Sequence, residues 1–126
     1  MPQQFANFIN GEWVESPEVS PNINPSNLDD VIGEFARADA EQTQRIMRAA
    51  ADAFATWSLS TPQQRFDVLD RTGSALLERK EELGRLLARE EGKTVAEGIG
   101  EVGRAGQIFK FFAGEALRIG GEIVPS

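Results

Sequence analysis

The amino-acid sequence predicts a mainly helical segment, with about four helices preceded by a short β-hairpin arm and one further strand. Three observations carry that expectation. Apolar residues come in short runs before residue 36 and at helical spacing after residue 39. An Asn-Gly pair, Asn10-Gly11, separates two of the early runs. Three stretches, "DAEQ" from Asp39, "TPQQ" from Thr61 and "TVAE" from Thr94, have the form of helix starts, with a capping side chain followed three residues later by Gln or Glu.

In chain order, Phe5 to Ile9 and Glu12 to Val14 read as the strands of the hairpin, because Asn-Gly accepts the positive φ angles of a type I′ turn. The stretch "SPEVSPNINPSNLDD" follows. Pro17, Pro21 and Pro25 cannot donate to a sheet ladder and restrict the residue before them, so an extended connector ending in turns is expected. Val31 to Ala36 reads as one more short strand.

A first helix is expected from about Ala40 to Trp57, capped by Asp39 with Gln42 as its box partner. Thr43, Ile46, Met47, Ala50, Phe54 and Trp57 recur along it at helical spacing. The second helix starts at Pro62 behind Thr61, with Gln64 closing the box and Phe66, Leu69, Leu76 and Leu77 as its inward stripe. After a bend near Lys80 a third helix turns Leu83, Leu86 and Leu87 inward and stops at Gly92 in the left-handed conformation. The fourth begins at the Thr94 to Glu97 capping box, lines Ile99, Val102, Phe109, Phe112 and Ala116 along one side, and ends at Gly120-Gly121. The final "EIVPS" resumes a strand-like pattern, as a piece of a longer chain would.

Composition narrows the chemistry. With 126 residues, 13 basic against 20 acidic side chains and a formal net charge of −7, the chain lacks the basic face that nucleic acid or an anionic membrane surface requires. The first residues have neither the charged n-region nor the apolar core of a secretory signal, and no apolar run reaches transmembrane length, so a cytoplasmic location is expected. Cysteine, histidine and tyrosine are absent. That removes the thiolate nucleophile, the neutral-pH proton shuttle and the zinc sites built on those ligands. Trp13 and Trp57 read as packing residues, and Lys93 as a partner for an acidic neighbour or for helix-end carbonyls.

Gly98, Gly100 and Gly103 fall at the spacing G-x-G-x-x-G. A dinucleotide site needs the first of these glycines directly after a buried strand, so that a tight turn feeds a helix whose amides face the pyrophosphate. Here a helix end, a glycine stop and a new helix cap come first. The glycines are expected inside the fourth helix, where with Ala105 and Gly106 they give it a thin side for close approach of another backbone or a bound molecule. No residue of this chain is expected to hold a cofactor.

Five stretches together resemble the N-terminal quarter of the NAD(P)-dependent aldehyde dehydrogenase superfamily. They are "FINGEWV" from Phe8, "INPSN" from Ile23, "AAADAFATW" from Ala49, "EEGKT" from Glu90 and "FFAGEALRIGGEIVPS" from Phe111. Their order and spacing cover the whole chain, and the last is most similar to semialdehyde dehydrogenases of the 2-oxoglutarate semialdehyde type. The resemblance implies an α/β family fold. Residues 1–38 would form an N-terminal β arm and connector, and residues 39–126 the helical part of the cofactor-binding domain, truncated at its C-terminal end.

It also implies a division of labour. In the family a cysteine thiolate adds to the aldehyde, hydride passes to NAD or NADP, and a glutamate activates the water that releases the acid. All of these groups lie downstream in the family pattern, so no catalytic residue is expected here and the segment alone is expected to be inactive, a scaffold and substrate-tunnel wall. By position Gly100 and Arg104 would line the tunnel through which a small-molecule aldehyde arrives. An arginine there, where many relatives carry an apolar residue, suits a distal carboxylate. Asn22, Ile23 and Glu90 match positions that hold a monovalent cation in some members, Glu90 replacing the more usual aspartate. The implied partners are the remainder of the aldehyde dehydrogenase chain and, at full length, further copies in a homo-oligomer, with neither nucleic acid nor membrane. The residues by themselves leave a second reading open, a free-standing helical interaction module without enzymatic activity.

Overall fold

The computed structural model describes residues 3–121 and Val124. The chain forms two compact units, one built from the residues up to Leu59 with Leu87–Lys93, the other from Ser60–Leu86 with the residues from Thr94 onward.

In the first unit, β1 (Gln4–Phe5), β2 (Asn7–Ile9), β3 (Glu12–Val14), β4 (Val19–Ile23) and β5 (Val31–Ala36) precede α1 (Ala40–Trp57). The expected first strand is split. Phe5 pairs in parallel with Phe35 of β5, whereas Asn7 to Ile9 pair antiparallel with β3, so the backbone leaves one sheet for another at Ala6. β5 lies between β1 and β4. Gly33 sits on β5 where the Phe5 ring crosses it; a Cβ there would come within 2.5 Å of Phe5 Cε2. The hairpin turn is the one the Asn-Gly pair requires, with φ of 51° at Asn10 and 84° at Gly11. Phe8 and Trp13 face each other across it, their rings 4.9 Å apart.

The expected connector contains β4, which pairs with β5 from Val19↔Ala36 to Ile23↔Val31. Proline spacing hid this strand. Pro21 is tolerated because β4 is an edge strand with only one paired side. α1 has the expected bounds, and the Asp39 carboxylate accepts from the Gln42 amide at 2.7 Å. The expected reciprocal half of that box is absent. The Gln42 side chain accepts instead from Asn7 Nδ2 at 2.7 Å and donates to the Glu15 carbonyl, tying α1 to the hairpin. No residue of α1 is buried.

The second unit is built on α2 (Pro62–Glu78) and α4 (Val95–Ala116), with the start of α3 (Lys80–Glu91) between them in sequence. Both threonine capping boxes form in full, Thr61 with Gln64 and Thr94 with Glu97. α2 and α4 meet backbone to backbone. A Cβ on Gly73 would lie 2.9 Å from the Gly106 carbonyl oxygen, and one on Gly106 would lie 2.7 Å from Leu77 Cγ. Beside this crossing Lys110 Nζ donates to Asp70 Oδ1 at 2.7 Å and to Ser74 Oγ at 2.6 Å. Where α3 passes α4, Gly84 leaves room for the Ile99 backbone.

Val102, Ala113 and Ala116 are buried on α4. Phe112 is not: expected inward, it is 55% exposed, and Leu86 of α3 is exposed as well. The crossing through Gly106 and Gly73 is too close for a ring, so α4 buries small residues there and turns Phe111 and Phe112 outward, while Phe109 is half-buried. α4 also ends earlier than expected, at Ala116. The amides of Leu117 and Arg118 close onto Gly114 and Glu115, a tightened last turn ahead of the two glycines. The strand-like end, Glu122 to Ser126, lies outside the described residues except for Val124. No helix of the described residues is long and apolar enough to cross a membrane.

Candidate functional site

The spaced glycines decide whether phosphate could be held here. Gly98, Gly100 and Gly103 all lie within α4, and the Gly98 amide donates to the Thr94 carbonyl at 3.1 Å. An amide engaged in the helix ladder is not available to a pyrophosphate, and no strand precedes the helix, so these residues do not fit a dinucleotide. Their packing is uneven. Gly98 and Gly106 are buried, while nothing lies within 4 Å of where a Cβ would stand on Gly100 or Gly103. The thin side expected of all of them is therefore used at Gly106, and Gly100 and Gly103 face open space.

That asymmetry orients α4. With 3.6 residues per turn, burying Gly98, Val102, Gly106 and Ala113 against the rest of the unit turns Gly100, Arg104, Gln107 and Phe111 to the opposite side. Arg104, Gln107, Ile108, Phe111 and Phe112 line an open depression of about 440 Å³. Phe111 and Phe112 meet edge to face with ring centroids 5.2 Å apart, making one wall aromatic. Among the described residues Arg104 has no ion pair or hydrogen bond to protein. Chemically the depression combines an unpaired guanidinium, an amide and an apolar wall. The sequence singled out Gly100 and Arg104 of this face; Gln107, three residues on from Arg104, was legible from helical spacing and was missed.

A second cluster lies in the first unit, where the turn after β4 meets the end of α3. Asn22 Nδ2 donates to Glu90 Oε1 at 2.9 Å, so these two residues, 68 apart in sequence, are brought together. Ile23 follows at the strand end, where the pairing with β5 shifts register. Next to them Asp30 accepts twice from Arg89, at 3.0 and 2.6 Å, and once from Asn24 at 3.1 Å. The hydrogen bonds from Arg89, then that from Asn24, lower the Asp30 pKa to about 2. Gly92 closes α3 with φ of 71°, its carbonyl accepting from Ser26 Oγ at 2.9 Å. Lys93 forms an ion pair with Glu91, as an acidic-neighbour role requires. Among the described residues no group of three or more His, Cys, Asp or Glu side chains converges. A cation at Asn22, Ile23 and Glu90 would thus depend on carbonyl oxygens with a single carboxylate, a donor set that suits a hard ion of low charge.

Comparison with known proteins places this architecture. Residues 13–126 match the model of the aldehyde dehydrogenase family. The chain is 36% identical to the alpha-ketoglutaric semialdehyde dehydrogenase of Bacillus subtilis over 97% of its own length and 25% of that protein's. It is 36% identical to the 3-sulfolactaldehyde dehydrogenase of Pseudomonas putida over 94% of this chain and 24% of that one. Among solved structures it superposes on a 1-pyrroline-5-carboxylate dehydrogenase variant of Thermus thermophilus with a TM-score of 0.92 at 30% identity, covering 99% of this chain and 25% of that one. A betaine aldehyde dehydrogenase variant of Staphylococcus aureus, in complex with NAD+, gives 0.90 at 33% identity over 96% of this chain and 25% of the other. The chain spans about a quarter of the length of the curated relatives it matches. With the hairpin, the capped helices and the glycine crossing all in place over that span, the chain belongs to the aldehyde dehydrogenase family.

Proposed function

We propose that this chain contributes the wall of a substrate channel to an NAD(P)-dependent aldehyde dehydrogenase that oxidises a semialdehyde to a dicarboxylic acid, and carries none of the reacting groups itself. The observation that supports this reading best is the outward face of α4, where Gly100 leaves space and Arg104 stands over an aromatic wall. The names of similar proteins point the same way: besides alpha-ketoglutaric semialdehyde, they include dehydrogenases of malonate semialdehyde and of succinate semialdehyde. The chain has no cysteine, so the thiolate that adds to the aldehyde is supplied from outside these residues. So is the surface that binds NAD or NADP, since the glycines of α4 do not fit it.

The same proposal assigns Asn22, Ile23 and Glu90 to a monovalent cation, supported by the Asn22–Glu90 contact beside the strand end. It places the full-length protein in the cytoplasm as a homo-oligomer. The test is NAD(P)H formation at 340 nm with a panel of aldehydes. The full-length gene product is expected to turn over and the 126-residue chain to give no signal. Turnover by the chain alone, or an inert full-length product, overturns the proposal.

A further inference from the structure

We propose that the Asn10-Gly11 turn is a site of spontaneous deamidation, and that Arg45 and Arg48 of α1 receive the carboxylate it creates. The inference is independent of the dehydrogenase reading, since it needs neither aldehyde nor cofactor.

The chemistry is intramolecular. The Gly11 backbone nitrogen attacks Cγ of the Asn10 carboxamide; the N–Cγ bond forms, the Cγ–Nδ2 bond breaks, and ammonia leaves with the proton of the Gly11 amide. Water then opens the cyclic imide. Opening at Cγ leaves aspartate at position 10, and opening at the main-chain carbonyl leaves isoaspartate, in which the backbone runs through the side-chain carbon. Either product carries one more negative charge than asparagine.

That route sets three requirements, and among the five asparagines of the chain Asn10 meets them all. The attacking nitrogen must be uncrowded. Gly11 has no side chain, whereas Asn7, Asn22 and Asn27 are followed by Phe8, Ile23 and Leu28, and Asn24 by Pro25, whose nitrogen carries no proton. The carboxamide must also be free to turn. Asn7, Asn22 and Asn24 donate through Nδ2 to Gln42, Glu90 and Asp30, and Asn27 accepts from the Asp29 amide. The exposed Asn10 side chain has no hydrogen-bond partner among the described residues. Finally the backbone must leave its turn, because closing a five-membered ring needs an Asn10 backbone geometry other than the left-handed one at φ 51°. Two strands of three residues, paired with each other, hold that turn, and so short a ribbon opens at little cost.

The product forms beside its receptor. Asn10 lines an open depression of about 360 Å³ together with Glu12, Arg45, Arg48 and Asp52. Among the described residues neither arginine makes an ion pair or hydrogen bond to protein, although two carboxylates border the same depression. Aspartate tolerates a positive φ, so it keeps the turn and adds a third carboxylate where two guanidinium groups stand unpaired. Isoaspartate instead lengthens the two-residue turn and breaks its match to the strands. One product ties the hairpin to α1, and the other loosens it.

The test uses the full-length gene product, incubated at 37 °C and pH 8 and sampled over two weeks by peptide mass spectrometry. A gain of about one mass unit should accumulate, and fragment ions should place it at position 10 and not at Asn7, Asn22, Asn24 or Asn27. Asn10→Asp, which supplies the aspartate product alone, should slow amide hydrogen exchange in the hairpin roughly two- to fivefold, the range an exposed ion pair gives. That gain should vanish when Arg45→Gln and Arg48→Gln are added. An unmodified position 10, or equal modification at the other asparagines, overturns the site. Exchange in Asn10→Asp as fast as in wild type, or slowing that survives loss of both arginines, overturns the role of Arg45 and Arg48. None of these measurements uses turnover, so an inert gene product sinks the dehydrogenase reading and leaves this inference to its own result.

Discussion

Replacing Gly84 by alanine separates two opposing effects of the same substitution. Alanine is favoured over glycine inside a helix by about 1 kcal/mol. At Gly84 the added Cβ would stand 2.5 Å from Ile99 Cα, 2.6 Å from Ile99 N and 2.7 Å from Ile99 Cγ1. Carbon atoms rest at about 3.5 to 4.0 Å from each other, so the α3 and α4 backbones must separate by roughly 1 Å. Two of the three atoms are main chain and cannot swing aside. The overpacking penalty, about 1 to 3 kcal/mol, therefore sits near its upper end and exceeds the propensity gain, for a net loss of about 1 to 2 kcal/mol. Gly103 is the control, because a Cβ there meets nothing within 4 Å. Gly103→Ala should gain up to about 1 kcal/mol. At about 4 °C per kcal/mol for a chain of this size, the two variants should differ by roughly 4 to 12 °C in Tm, read by circular dichroism at 222 nm. A Gly84→Ala variant that melts at or above the wild-type temperature would mean that α3 and α4 are not held at the backbone separation these distances require.

Other expectations concern the turn clasp, the caps and the uncovered surface. Asp30 has a folded pKa of about 2 against 3.8, a depressed value, so its contribution to stability is present above pH 3.8 and fades as pH falls towards 2. Arg89→Ala should remove that part of the acid limb, seen as a smaller loss of stability between pH 4 and pH 2 in urea titrations than wild type shows; both side chains are partly exposed, so the effect is modest. Gly92→Ala should destabilise by more than about 1 kcal/mol, because alanine is strained at a φ of 71° and its Cβ would meet Pro25 Cγ and Ser26 Oγ at 2.8 Å. Thr94→Ala should lower chemical-denaturation stability by about 1 kcal/mol through loss of the α4 cap, and Thr94→Ser should restore it. Met47, Phe54 and Phe111 are each more than 60% exposed, so the isolated chain should bind the dye ANS strongly and the full-length gene product much less; weak binding by the chain alone would favour a self-contained helical module.

Helix starts were legible because capping is local. Thr61, Pro62 and Gln64, or Thr94 and Glu97, state a boundary within four residues, and both boxes form as written. The Asn10-Gly11 turn is local in the same sense. What the sequence concealed depends on partners distant along the chain. Gln42 looks like a box partner for Asp39, yet Asn7, 35 residues earlier, competes for its side chain. β4 carries a proline and shows no alternation, and it is a strand only because β5 lies beside it. Leu86 and Phe112 satisfy the helical period and still face outward, since periodicity gives the spacing of an apolar side and not how much room lies behind it.

The same limit explains why the candidate site was half visible. Gly100 and Arg104 stood out through resemblance, but their direction follows from what happens on the far side of α4. Gly73 and Gly106 allow the two helix backbones to touch, and that contact fixes the rotation of α4 about its axis. Once Gly106 is turned inward, Gln107 and Phe111 have no choice of direction. The four glycines from Gly98 to Gly106 thus act in different ways along one helix, close approach at Gly106, burial at Gly98 and open space at Gly100 and Gly103. Adding a side chain at Gly106 would rotate or displace α4 and so misdirect Arg104 without touching it, whereas adding one at Gly100 would fill the space beside Arg104 and leave the helix where it is.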